Sequence, residues 1–106
     1  MRNKYKIPWH VRQFVKKELL DYKANKKLLK NYKGDTRGLL IASTRIYQIE
    51  KVLNGLNTED KEIAELIFLE HYTQAKAETT EHIPKSLYYT IMSKVIYLTA
   101  IEMELI

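Results

Sequence analysis

Pro8, Gly34, Gly38, Gly55 and Pro84 are the only prolines and glycines in this chain. Between them, apolar side chains recur every three or four positions, the spacing that gathers them on one face of a helix. No stretch alternates apolar and polar residues at every second position, as a half-buried strand would. So few breakers and so steady a rhythm leave helices as the structure to build. The expected class is all-α: a long N-terminal helix, then a small helical bundle ending in a helix-turn-helix. At 106 residues the chain fits one compact domain.

The breakers mark the segments. Pro8 suits a first helical turn, where its missing N–H costs nothing. Val11, Phe14, Val15, Leu19, Tyr22, Leu28, Leu29 and Tyr32 then form an apolar stripe. Gly34 supplies the stop, so the spacing predicts one long basic helix within residues 1–33. A run of about 25 residues would span roughly 37 Å. Asp35 or Thr36 can cap a second helix over 36–56, with the stripe Leu39, Leu40, Ile46, Ile49, Leu53 and Leu56. Gly38 weakens its first turn, and Asn54-Gly55 marks its exit. Asn57 or Thr58 can cap a third helix, whose first turns carry Glu59, Asp60 and Glu62 where the helix dipole favours negative charge. A short helix over 73–80, a turn at Glu81-His82 and a last helix opened by Pro84 complete a unit over 58–106.

Charge divides the chain. Residues 1–55 hold 14 Lys and Arg against 4 Asp and Glu, a net +10. Residues 56–106 hold 4 against 9, a net −5. The basic half suits a polyanion, and the polarity suggests separate surfaces for separate partners. There is no cysteine, hence no disulfide and no thiolate zinc site. His10, His71 and His82 lack the i, i+4 spacing of helical metal ligands, and no HExxH occurs, so no metal or other cofactor is expected. Without a Gly-rich loop or nucleophile elbow, the acidic cluster at Glu59, Asp60 and Glu62 reads as a solvated helix start, and an enzyme is not expected. No apolar run reaches a membrane span, and the basic first residues lack the apolar core of a signal peptide. The expected location is the cytoplasm.

The C-terminal unit carries the most specific pattern. A short helix, a tight turn and a longer helix make a helix-turn-helix. On the last helix Leu87, Ile91, Val95 and Leu98 share a face that can pack inward, and Ile83 can fill the apolar turn position. Lys85, Ser86, Tyr89, Thr90 and Ser93 fall on another face, with Lys94 at its edge. Hydrogen-bonding side chains near the start of such a helix contact base edges. Base readout is therefore assigned to Lys85, Ser86, Tyr89, Ser93 and Lys94. Phosphate contacts are assigned to Lys16, Lys17, Lys23, Lys26, Lys27 and Lys30 on the first helix. The plain alternative is that one polar face is what any surface helix has, and that the lysines only keep a long helix soluble.

Taken in order, these segments resemble a known group. Arg12 followed by KKELLDY to Tyr22, then Thr36, Arg37, Leu39 and Leu40 leading into IYQIEKVLNGL, then EDKEIAELIFLEHY, form one series. The series closes with Ile83, Ile91, Lys94, Val95, Ile96 and Ala100. Residues 56–105 resemble region four of sigma factors, and nearly the whole chain is similar to RinA/ArpU-type regulators of late genes in phages of Gram-positive bacteria. The resemblance implies an activator of phage packaging, morphogenesis or lysis genes, working in the bacterial cytoplasm. It implies double-stranded DNA as the partner of the helix-turn-helix. It also implies host RNA polymerase as a partner of the acidic helix at Glu59, Asp60 and Glu62. Two alternatives stand beside it: a helical interaction or oligomerisation module, homodimeric through its long helix, and a DNA-binding protein like a small terminase subunit.

Overall fold

A computed structural model describes residues 5–30 and 36–106, with side chains between these limits except at 36–39. The described residues form six helices and no strand: α1 (Trp9–Leu20), α2 (Tyr22–Lys30), α3 (Thr36–Asn54), α4 (Thr58–Phe68), α5 (Gln74–Glu81) and α6 (Lys85–Glu102). The all-helical class is as expected. The single N-terminal helix is not: it is two helices with one turn residue, Asp21, between them. Hydrogen bonds still run through the join, from Asp21 N–H to the Lys17 carbonyl at 2.9 Å and from Asn25 N–H to the Asp21 carbonyl at 2.8 Å. The expected stop at Gly34 and cap at Asp35 lie outside the described residues.

The remaining boundaries follow local chemistry. Asn57 caps α4, its side-chain oxygen accepting the Asp60 N–H at 2.8 Å. Thr73 does the same for α5, accepting from Lys76 N–H at 3.2 Å. Pro84 stands immediately before α6, and its carbonyl accepts the Tyr88 N–H at 3.0 Å.

Helix α6 is the axis of the molecule, with α1, α3, α4 and α5 all packed against it. Its middle is enclosed: Val95, Ile96, Thr99 and Ala100 are fully buried. The Thr99 hydroxyl resolves its own burial by donating to the Val95 carbonyl at 2.7 Å. Ile49 from α3, Ile67 and Phe68 from α4, and Val15 and Leu19 from α1 complete the core. The end of α1 is pinned from the far side, where the His71 ring nitrogen meets the Leu20 carbonyl at 2.8 Å.

Some residues of the expected stripes face outward. Leu28 and Leu40 are each 67% exposed and Phe14 is 40% exposed. The Arg45 guanidinium lies over the Phe14 ring, 5.1 Å from its centre. The break at Asp21 explains Leu28: α2 turns in Tyr22 and half-buries Leu29, which leaves the residue beside Leu29 in water.

This packing separates two leucines of similar sequence context. Leu19→Ala opens a cavity under α1 and is expected to cost about 2–5 kcal/mol. Leu28→Ala is expected to stay within about 0.5 kcal/mol. Urea unfolding followed by circular dichroism measures both.

Candidate nucleic-acid interface

The unit made by α5, the turn and α6 begins with a strained residue. His82 sits in the left-handed region, φ 56° and ψ 35°. A side chain there costs about 1–2 kcal/mol. The turn recovers part of this through hydrogen bonding, as the His82 and Ile83 N–H groups both point back to the Ala77 carbonyl, the latter at 3.1 Å. Ile83 is buried in the apolar turn position, as expected, and Ala77 of α5 is fully buried. One turn into α6, Tyr88 acts as a strut. Its ring is buried, and its hydroxyl donates to the Tyr72 carbonyl in the loop between α4 and α5 at 2.6 Å.

These constraints fix which way the start of α6 faces. Lys85, Ser86, Tyr89 and Thr90 are exposed together over its first two turns. No acid lies in the first turn and no side chain caps it, so its leading N–H groups point outward where an anion can be received. The Tyr89 ring stands edge-on to Tyr88, centroids 5.2 Å apart.

Two of the expected readers are withdrawn from this face. Ser93 is only 9% exposed. Here α1 packs along α6: Arg12 reaches the Met92 sulfur at 4.0 Å, and the Tyr5 ring, just before α1, meets the Tyr97 ring at a 53° tilt, centroids 5.4 Å apart. The face that carries Tyr89 therefore passes under cover one turn later. Lys94 is bound to Asp60, Nζ to carboxylate oxygen at 2.9 Å, with both side chains mostly buried. That bond raises the Lys94 pKa above its ordinary value. Of the expected readers on this helix, Lys85, Ser86 and Tyr89 remain exposed, with Thr90 beside them.

The lysines of α1 and α2 divide as well. Lys17 pairs with Asp21 at 3.1 Å, Lys23 with Glu70 at 3.3 Å and Lys26 with Glu50 at 2.6 Å. The Tyr22 hydroxyl donates to the same Glu50 carboxylate at 2.6 Å, and these two bonds lower the Glu50 pKa. Lys16 is half-buried, and Lys27 and Lys30 are exposed. Lys16, Lys30 and Lys85 have no carboxylate partner among the described residues.

The acidic cluster splits too. Asp60 serves the structure, taking Lys94 and a 3.3 Å bond from the Asn57 amide. Glu59 and Glu62 instead border an open groove of about 340 Å³ between α4 and the turn before α6. Glu81 and His82 stand on its other side, over a floor of Ile63, Leu66, Ile83 and Leu87. Glu81 and His82 were read from the sequence only as a turn, and nothing in their spacing announces that they face α4. Among the described residues no three His, Asp or Glu side chains gather as a metal site, and no helix is long and apolar enough to cross a membrane. Neither protein-family models, nor curated proteins, nor solved structures yield a match to this chain.

The interior hydrogen bonds carry a pH signature. Lys94 and Tyr88 both hold protons more tightly in the fold, Lys94 through Asp60 and Tyr88 through burial of its hydroxyl. The stability they contribute is fully present below their ordinary pKa values and lost as pH rises through the raised ones. The melting temperature should therefore fall above about pH 10. It should fall less steeply in Lys94→Met with Tyr88→Phe. At neutral pH, Lys94→Met should cost roughly 1–2 kcal/mol, between an exposed pair and a hydrogen bond to a buried charge.

Proposed function

We propose that this chain is a DNA-binding transcriptional regulator that uses the start of α6 to read double-stranded DNA. The observation that carries this reading is the outward face formed by Lys85, Ser86, Tyr89 and Thr90 at an uncapped helix start. A short helix and a tight turn lead into it. The resemblance to RinA/ArpU-type regulators supplies the narrower proposal, activation of late phage genes. Within that proposal Glu59 and Glu62, exposed on α4, are the surface offered to host RNA polymerase, while Asp60 is held by Lys94.

Phosphate attraction in this proposal comes first from Lys16, Lys30 and Lys85. Lys17, Lys23 and Lys26 join only if their exposed ion pairs open, which costs little because such pairs contribute about 0–1 kcal/mol. Three phosphate contacts give a slope of log K against log salt of roughly −3, steepening if the pairs open. Mobility shifts at several salt concentrations, on promoter-region DNA from the source genome, measure this. Absence of binding at low salt sinks the proposal.

Readout and positioning separate by substitution. Lys85→Ala or Tyr89→Ala should weaken cognate binding by about 1–3 kcal/mol and change non-specific binding less. Lys30→Gln should weaken both alike. Equal losses on cognate and scrambled DNA for the α6 variants would mean that this face does not read bases.

The second reading, a helical interaction module, is favoured by the acidic groove beside α6. Fluorescence anisotropy that finds no DNA binding in a folded, monodisperse sample would leave that reading in place.

A further inference from the structure

The groove beside α6 has a shape and a charge that no other described residue takes up. Its floor is apolar, and Glu59, Glu62 and Glu81 stand exposed around it. No lysine or arginine pairs with these three among the described residues. Glu50, Glu70 and Glu102, by contrast, each hold a lysine, and the other acids without an ion pair, such as the exposed Glu78 and Glu104, do not line this groove. An apolar floor inside an unneutralised acidic rim fits a cationic segment with one projecting apolar side chain.

Helix α2 has that form. Its nine residues include four lysines and no acid. Leu28, at 67% exposure, projects from it between Lys27 and Lys30. Within one chain α2 packs on α3, whereas the groove is bordered by α4 and the turn between α5 and α6. We propose that a second copy of this chain docks its α2 in the groove, with Leu28 on the floor and Lys30 facing Glu62 and Glu81. The two surfaces lie on different elements, so the contact is heterologous unless two copies exchange both contacts about a two-fold axis. In the heterologous case each copy gives α2 to one neighbour and its groove to another, and assembly continues until it closes. Burial of Leu28 supplies the short-range attraction, and the opposed charges supply partner choice and salt dependence. This contact occupies Lys30 and Glu62, so it competes with the phosphate and polymerase contacts proposed for them, and it is tested without DNA.

The test is sedimentation velocity on the full chain. The wild type should show mass increasing with concentration at roughly 0.1 M salt. The increase should shrink at roughly 1 M, where the screening length falls from about 10 Å to about 3 Å. Glu62→Lys with Glu81→Lys destroys the groove and leaves the Asn57 cap and Glu59 in place. Leu28→Glu with Lys30→Glu destroys the projecting side at positions exposed to water. Each variant alone should be a monomer with unchanged helicity and melting temperature. Mixed one to one, they should form a dimer that grows no further, because one intact α2 meets one intact groove. Should the reversed variants unfold, Glu62→Gln with Glu81→Gln replaces the groove variant, and association should weaken about tenfold. A wild type that stays monomeric up to about 1 mM, the weakest end of specific association, overturns the proposal and leaves the groove to a cationic segment of another protein. Variants that still assemble alone, or a mixture that stays monomeric while the wild type associates, overturn it equally.

Discussion

Enclosure of α6 between Tyr88 and Ala100 is the constraint on which the other elements depend. Four helices lean on this one segment, so each takes its orientation from it. The fully buried residues on it, Val95, Ile96, Thr99 and Ala100, are small or medium in size. Small side chains let helix backbones approach closely, and the larger Phe68, Leu19 and Ile49 fill the space from outside. A helix covered in this way cannot slide or rotate without opening cavities on several sides at once. That rigidity is what holds its first two turns in a fixed direction.

Electrostatics plays a secondary part. Lys23 and Lys51 tie the basic half to the acidic one through Glu70 and Glu102, and Lys26 reaches Glu50 within the basic half. Each pair is largely exposed and contributes little by itself. The exception is the Glu50 carboxylate, which accepts from both Lys26 and Tyr22 at 2.6 Å and thereby locks α2 to α3 at the start of α2. The apolar contacts hold α1 down, and these polar contacts decide where α2 points after the chain turns at Asp21.

Helix positions were legible wherever capping chemistry marks them. Asn57, Thr73 and Pro84 stand at helix starts for reasons that lie within three residues of themselves. The break at Asp21 was not legible, since no glycine or proline marks it and Leu19 to Tyr22 keeps a helical spacing. Tertiary contacts on either side make it, through His71 at Leu20 and Glu50 at Tyr22. The exposed polar face at the start of α6 was legible for two turns only. Lys85, Ser86 and Tyr89 are free because of the turn that precedes them, a local matter. Ser93 and Lys94 belong to the same sequence pattern, but their fate depends on where α1 and α4 lie. Helical periodicity cannot show that a second helix covers a polar face.

The turn from Glu81 to Pro84 places two surfaces of opposite preference side by side. On one side the uncapped start of α6 offers N–H groups and Lys85 to an anion. On the other, Glu59, Glu62 and Glu81 repel it. Charges on one surface act over about 8 Å at physiological ionic strength, so a phosphate chain approaching this turn meets attraction and repulsion within one contact. The result is directional. In the proposed DNA complex, a polyanion would enter along the line from Lys85 toward Tyr89 and be turned away from α4. Lysines alone would attract a duplex in many poses, whereas an acidic border on one flank removes some of those poses at the cost of some affinity. The net negative charge of residues 56–106 is thus compatible with a polyanion-binding helix start, because the acids border the approach rather than lie in it.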